Sequence, residues 1–183
     1  GVTNGLDGSI AVPGKRFADT VRALPDVAVT LDADPANQRI TLKTDNGTYS
    51  LTGEGAAEFP GQPDFKGTVE FSVDNALLKR LIHQTSFAVS GDELRPAMMG
   101  VLLQPKEDEL RAVSTDGHRL VRYTTVLGKP TALKKDIIVP VKALNLVSKV
   151  LDGKECRVSV SGTHIRFHAD SSIVTSRLID ESY

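Results

Sequence analysis

The sequence has one cysteine, no tryptophan, and aromatic residues at only 5% of positions. A lone thiol, Cys156, forms no intrachain disulfide and builds no cysteine-based zinc site. That fits a reducing compartment, and the expectation is a cytoplasmic protein. Cys156 lies between Glu155 and Arg157 at the start of a strand pattern, and reads as a small packing residue rather than a nucleophile. No apolar run approaches the length of about 20 residues that spans a bilayer, and the N-terminus GVTNGLDGS has no apolar signal segment. Charge of one sign is also lacking. The 22 Lys and Arg stand against 23 Asp and Glu, a formal net charge of −1. A compact DNA-binding domain is usually strongly basic. Near-neutrality keeps DNA contact open only if the basic side chains gather on one face. A Gly-rich phosphate loop, a Gly-x-Ser-x-Gly elbow and an HExxH helix are absent from the sequence as well.

What is there is ordinary for a soluble globular protein: 183 residues, 40% hydrophobic and 25% charged. That length holds one domain or two. The chain starts with Gly and stops just after a strand pattern, so it reads as a piece of a longer protein.

Taken in order, SIAVPGKRFADTVRALPD gives a short strand and a helix, with Pro13 in the first turn and Phe17, Ala18, Val21 and Leu24 on one stripe. Alternating strands follow at 27–33, 39–44 and 48–53, with turns at 34–38 and 45–47. Asp45-Asn46-Gly47 predicts a hairpin with the positive φ of a type I′ turn. Residues 54–67, rich in Gly and Pro and without period, read as a linker and a domain boundary.

The pattern then returns. A strand at 69–73 leads to a helix capped by Asp74, NALLKRLIHQT, whose apolar face is Leu77, Leu78, Leu81 and Ile82. Strands are expected at 87–90, 98–106, 109–115 and 118–126, with a polar loop at 91–96. A third start follows: a strand at 137–140, a helix at 141–153 stopped by Gly153, and strands at 156–162, 164–170 and 173–180. The order strand–helix–three strands therefore occurs three times, at roughly sixty-residue spacing. Alternation in the strands predicts antiparallel sheets, with helices covering one face, in an α+β fold. The units starting at 69 and 137 pair into a complete domain, and residues 8–53 form half of another.

Away from their apolar stripes the helices carry Lys15, Arg16, Arg22, Lys79, Arg80, Lys142 and Lys149. Acidic residues sit mainly in turns and linkers. Positive helix faces without base-reading groups suit a phosphate backbone. The same residues also suit plain solvation, since Lys and Arg are common on exposed helix faces.

The stretch AVSTDGHRLVR (112–122) is a strand that breaks at Thr115-Asp116-Gly117 and restarts at Leu120. Three readings compete there. Asp116 and His118 are an acid–base pair; or the turn is one wall of a partner pocket; or Asp116 simply bonds the backbone in a polar turn. The enzyme reading also draws on His83, His164 and His168, though His164 and His168 fall on one face of a strand, where they flank a sheet rather than chelate a metal.

Several stretches together resemble the bacterial DNA polymerase III beta subunit, the family of ring-shaped sliding clamps. They are VPGKRFADTVRALP, SLTGEGAAEFPGQP, LLKRLIHQTSFAVS, RAVSTDGHRLVR, IIVPVKALNLVSKVLDG and SRLIDESY, spanning Ser9 to Tyr183. The resemblance implies a DNA clamp fold: head-to-tail homodimers with three like domains per subunit, helices lining the hole and sheets outside. It makes residues 1–66 the second half of a first clamp domain plus linker, and 67–183 a nearly complete second domain. The third domain lies outside the chain, so the expectation is that this chain alone closes no ring.

The implied function is non-catalytic: an accessory subunit of a DNA-directed DNA polymerase that tethers it to duplex DNA without reading sequence. The alternative is a structural repeat or interaction module without DNA contact. No cofactor and no metal is called for. The DNA-facing candidates are Lys15, Arg22, Lys79, Arg80, Lys142 and Lys149. In the loop 91–97, where relatives place DNA contacts, only Arg95 is a plausible one. Met98, Thr115, Gly117, His118, Arg119 and Leu120 match the family's pocket for short partner peptides of Gln-x-x-Leu-Phe type. Through such peptides the polymerase III catalytic subunit and the clamp loader bind. The resemblance implies that the other wall comes from just beyond Tyr183 and from the third domain, so the pocket in this chain is expected to be incomplete and weak.

Overall fold

Three segments carry apolar residues at helical spacing, and each folds as a helix preceded by a strand and followed by three longer strands, with a short fourth in the first case. The computed structural model describes residues 7–61, 63, 65 and 68–183. The chain divides into two compact units, Gly1–Gln62 and Pro63–Tyr183.

In the first unit, β1 (Ile10–Ala11) leads into α1 (Gly14–Ala23), with Pro13 at its N-cap. Then come β2 (Thr30–Asp34), β3 (Arg39–Thr44), β4 (Gly47–Thr52) and the short β5 (Glu54–Gly55). Strands β2-β3-β4 form an antiparallel sheet, while β1 pairs with β5 through Ile10↔Gly55 and Ala11↔Glu54. The segment read as linker thus begins with a strand, and a 3-10 turn at Ala56–Glu58 follows it. The expected strand at 27–33 starts only at Thr30.

The hairpin at 45–47 forms, with Thr44 opposite Gly47, but its turn is not type I′. None of Asp45, Asn46 and Gly47 has positive φ. The Thr44 hydroxyl accepts from the Asn46 amide at 3.3 Å and donates to the Gly47 carbonyl at 3.2 Å. A side chain closes the turn there, so left-handed backbone is not needed.

The second unit contains β6 (Val69–Asp74), α2 (Asn75–Thr85), β7 (Gly100–Lys106), β8 (Glu109–Thr115) and β9 (Leu120–Val126). The pattern repeats as β10 (Ile137–Pro140), α3 (Val141–Val150), β11 (Glu155–Val160), β12 (His164–Ala169) and β13 (Ser172–Arg177). Asp74 caps α2 as expected, accepting from the amides of Ala76 at 2.8 Å and Leu77 at 3.0 Å. Helix α3 ends at Val150, three residues before Gly153, which adopts φ +71°.

The two repeats exchange their opening strands. One antiparallel sheet runs β10-β7-β8-β9 and the other β13-β12-β11-β6. Strand β10 aligns Val139 with Val101 of the first repeat, and β6 aligns Phe71 with Val158 of the second. Helices α2 and α3 pack on each other and on the inner faces of the sheets. Leu78, Leu81 and Ile82 of α2 and Leu144 and Val147 of α3 meet Val101, Leu103, Val158, Ile165 and Phe167 there. The buried Asn75 ties the start of α2 to the other repeat: its amide donates to the Lys154 carbonyl at 2.8 Å, and its side chain to the Asp152 carbonyl.

Three strand expectations are corrected here. Residues 87–90 form no strand; a 3-10 turn at Ser86–Ala88 closes α2 instead. Met98 and Met99 belong to a 3-10 turn, Pro96–Met99, and the strand starts at Gly100. His118 and Arg119 stay in the turn, because Asp116 and Thr115 hold their backbone there, and β9 starts at Leu120. At Met98, whose amide donates to the Arg95 carbonyl at 3.0 Å, and in the 115–119 turn, local hydrogen bonds outweigh strand propensity. Cys156 is fully buried, and desolvation pushes its thiol up to about 11, as a packing residue requires.

Candidate functional site

The turn 115–119 is built by its own side chains. The Thr115 hydroxyl donates to the Arg119 carbonyl at 2.7 Å and accepts from the Gly117 amide at 3.1 Å. One Asp116 oxygen accepts from the amides of His118 and Arg119, both at 3.0 Å. The other meets the Arg119 guanidinium at 3.0 Å. Those amide bonds, first from His118 and then from Arg119, hold the Asp116 carboxyl below the usual range, and the Arg119 charge adds to them. Gly117 sits at φ +92°, a conformation that favours glycine.

This decides between the chemical readings of the turn. Asp116 is engaged by backbone amides and by Arg119, and the Asp116 contacts include none with the His118 ring. The pair is therefore not arranged for acid–base work. Elsewhere, His168 Nε2 lies 3.4 Å from Ser159 Oγ, whose hydroxyl donates to Glu70 at 2.8 Å. Burial first, and then Arg157 and Arg166, lower the His168 pKa. His164 Nδ1 lies 2.8 Å from the Thr163 hydroxyl. Among the described residues no group of three or more His, Cys, Asp or Glu side chains is placed to hold a metal ion.

The surroundings fix the turn further. Arg119 also donates to the Phe87 carbonyl at 2.9 Å, and its guanidinium lies 5.8 Å from the Phe87 ring centre. Below, the buried Ser114 hydroxyl donates to the Thr85 carbonyl at 2.7 Å, fastening β8 to the end of α2. Arg95 reaches across from the preceding loop, with Nη1 at 3.5 Å from the Asp116 carbonyl and Nε at 2.9 Å from the Asp92 carboxylate. A Cβ on Gly117 would stand 3.0 Å from Arg95 Nη1, so the turn is small where the arginine crosses it. Met98 follows in the same loop, half-buried, its carbonyl accepting from the Ser90 amide at 2.8 Å.

At this scaffold Leu120 stands 66% exposed and Phe87 57% exposed. Large apolar side chains held open beside a fixed guanidinium can receive an apolar ligand with a polar backbone. Two residues that sequence reasoning did not assign also belong here. Phe87 supplies the carbonyl that holds Arg119. The Tyr183 hydroxyl lies beside the Thr115 backbone, and burial pushes its phenol up. Tyr183 gets there because the chain after β13 folds back over β10, with the Ile179 amide donating to the Ile138 carbonyl at 3.0 Å. That return encloses a hollow of about 430 Å³ whose lining includes Leu102, Ile138, Ile179 and Tyr183.

The basic candidates are exposed on the helices: Lys15 and Arg22 on α1, Lys79 and Arg80 on α2, Lys142 and Lys149 on α3. Lys142 and Lys149 are seven apart and share a face two turns along. Arg22 lies 3.6 Å from Asp19. Among the described residues the others carry no salt bridge. Arg95 differs: Asp92 pairs with it, which lowers its availability to a phosphate.

The second unit's region matches a known family. A model described as DNA polymerase III beta subunit, central domain, covers residues 72–183. The beta sliding clamp of Salmonella typhimurium is 35% identical over 178 residues, which are 94% of this chain and 47% of that protein. The beta sliding clamp of Bacillus subtilis is 32% identical over 185 residues, 100% of this chain and 48% of that protein. Crystal structures agree. The DNA polymerase sliding clamp from Bacillus subtilis superposes with a TM-score of 0.83 at 30% identity, covering 96% of this chain and 47% of that one. The DNA polymerase III subunit beta from Pseudomonas aeruginosa gives 0.83 at 30%, covering 96% and 49%. The chain spans about half the length of the curated relatives it matches. With a family model over residues 72–183 and structural agreement along nearly its whole length, the chain belongs to the DNA polymerase III beta subunit family.

Proposed function

We propose that this chain is part of a sliding clamp: a non-catalytic processivity factor that encircles duplex DNA and keeps a DNA polymerase on it. On this reading residues 1–66 are the second half of a first clamp domain with its linker, and 67–183 are the second domain. The complete protein is a ring-shaped homodimer. The observation that carries the reading is the run of exposed cations on helices of a fold shared with sliding clamps: Lys79 and Arg80 on α2, Lys142 and Lys149 on α3. A ring that slides must attract phosphates without fixing them. Flexible, solvated lysines do this, because their attraction is long-ranged and carries no base information. Lys15 and Arg22 extend the set on α1.

The turn 115–120 is then the docking wall for short peptides of the polymerase III catalytic subunit and the clamp loader. Leu120 and Met98 receive apolar anchors, and His118 and Arg119 meet the peptide's polar atoms. The test is salt-dependent loading of the full-length protein on circular duplex DNA. Changing Lys79, Arg80, Lys142 and Lys149 together to Gln should flatten the salt dependence, by roughly one unit of log–log slope for each phosphate no longer neutralised. A protein that pairs with DNA no better than its Gln variant would return the chain to the alternative, an interaction module without DNA contact.

A further inference from the structure

We infer that the outer face of the sheet β13-β12-β11-β6 is a docking surface for an extended acidic segment of a partner protein, held by Arg157 and Arg166. The inference does not rest on the clamp reading, and the turn 115–119 belongs to the other sheet. Alternation along two strands builds the face. Cys156, Val158 and Val160 of β11 and Ile165, Phe167 and Ala169 of β12 are buried on the core side. Arg157 and Ser159, with His164, Arg166 and His168, therefore point the other way. The register sets Arg157 opposite His168 and Ser159 opposite Arg166. Arg157 is exposed, and Arg166 is half-buried.

The positive charge here is uncompensated. Acidic residues outnumber basic ones in the chain, yet among the described residues neither Arg157 nor Arg166 carries a salt bridge. Glu70, the acid beside them on β6, is engaged by the Ser159 hydroxyl at 2.8 Å. The field registers at His168, whose pKa is lowered by burial first and then by Arg157 and Arg166. Arg166 is also fixed. Its Nε donates to the Thr175 hydroxyl at 3.1 Å, and its guanidinium lies 3.9 Å from the Phe65 ring centre. A guanidinium anchored through Nε and one flat face keeps its two Nη groups for a planar ligand.

Residue type and spacing select the occupant. The helix faces carry mostly lysines, compact charges suited to loose attraction. Both cations here are arginines, whose fork meets a carboxylate through two bonds at once. They are diagonal neighbours on adjacent strands, about 7–8 Å apart. Alternate residues of an extended chain stand about 7 Å apart on one side. Two acidic residues separated by one other therefore reach both arginines. Single-stranded nucleic acid suits the face less, because it needs open aromatic rings to stack on. Phe65 is already stacked on Arg166, and its ring centre lies 6.2 Å from that of His164.

Fluorescence anisotropy of the whole chain with a labelled peptide of alternating Glu and Ser tests this at low salt. The expected result is saturable binding that weakens as salt rises, and that is about tenfold weaker for the same peptide with Gln in place of Glu. Arg157→Gln changes an exposed side chain, so it leaves folding intact, and it should weaken binding about fivefold. Arg166→Lys keeps the charge but loses the fork, and should weaken binding by a similar factor; where thermal unfolding shows that this variant has lost its fold, Arg157→Gln alone decides. Changing Lys79 and Lys142 to Gln should leave the peptide's affinity unchanged, which separates this face from the helix faces. Equal affinity for the Glu and Gln peptides overturns the inference, and so does binding that Arg157→Gln leaves intact. A thymidine oligonucleotide that binds more tightly than the peptide, and is weakened by Arg157→Gln, also overturns it, since the face would then belong to nucleic acid.

Discussion

Leu120→Ala is the cleanest probe of the peptide wall. Leu120 begins β9 and is 66% exposed, so truncating it removes little that holds the turn. Thr115, Asp116 and Arg119 make the turn's bonds, and none involves the Leu120 side chain. Fully burying a leucine side chain yields about 1.5–3 kcal/mol over leaving it exposed. With two-thirds of Leu120 still open, a ligand recovers about 1–2 kcal/mol by covering it, which is roughly a five- to thirtyfold change in affinity. Arg119→Ala is a poorer probe, because it removes a ligand-binding group together with the bonds to Asp116 and to the Phe87 carbonyl. The assay is fluorescence anisotropy of a labelled Gln-x-x-Leu-Phe peptide, with thermal unfolding measured alongside. The expected outcome is weaker binding at an unchanged melting temperature. Equal affinity in the variant would refute Leu120 as an anchor, and a fall of several degrees in melting temperature would show that its role is structural.

Three further outcomes follow from the same geometry. Leu144→Ala, at a fully buried position of α3, should cost about 3 kcal/mol and lower the melting temperature of the second unit by roughly 10 °C. Leu146→Ala, half-exposed on the same helix, should stay within about 0.5 kcal/mol. Asp116 has a lowered folded pKa, so its support of the turn is complete above its unfolded value of about 3.9 and is lost only as pH falls through the lower folded value. Protection of the His118 and Arg119 amides against hydrogen exchange, corrected for intrinsic rates, should therefore hold down to about pH 4 and fall below it; loss of protection near pH 6 would contradict this. Cys156, buried and with its thiol pushed up to about 11, should stay unreactive to a thiol reagent at pH 8 until the second unit unfolds; rapid labelling of the native chain would count against its packing role.

The site is legible in the sequence only where one local segment builds it. Thr115, Asp116 and Gly117 announce a turn, and the turn's bonds run among those residues and the next two. Phe87 falls in a segment whose pattern suggests a strand, and nothing local marks it as the anchor of Arg119, 32 positions later. Tyr183 is similar: it reaches Thr115 because the chain after β13 turns back across β10, a path set by tertiary packing. Gly100 shows how tight that packing is. A Cβ there would stand 2.6 Å from Ile138, 2.8 Å from the Val139 carbonyl and 2.9 Å from Ile179. Arg95 is the reverse case: the family resemblance implies a phosphate contact there, and the structure adds an exposed pairing with Asp92.

The threefold repeat is legible because each repeat must solve the same local problem, an amphipathic helix and three alternating strands. The exchange of opening strands is not, because it changes no residue's periodicity. Val139 needs a buried face and a ladder partner whether it lies on its own repeat's sheet or on the other's. Hydrophobic pattern specifies which side faces the core, and is silent on which edge is joined. The exchange has an energetic consequence that simple side-by-side stacking lacks. Each four-stranded sheet contains strands from both repeats, so separating the repeats breaks two backbone ladders, β10 from β7 and β6 from β11, as well as the helix packing. The bonds from Asn75 to Lys154 and Asp152 cross the same boundary. The second unit should therefore unfold in one transition, with α2 and α3 losing amide protection together. Hydrogen exchange that released α3 and β11–β13 while α2 and β7–β9 stayed protected would show that the repeats are separable, and that the strand exchange couples them less than its two ladders require.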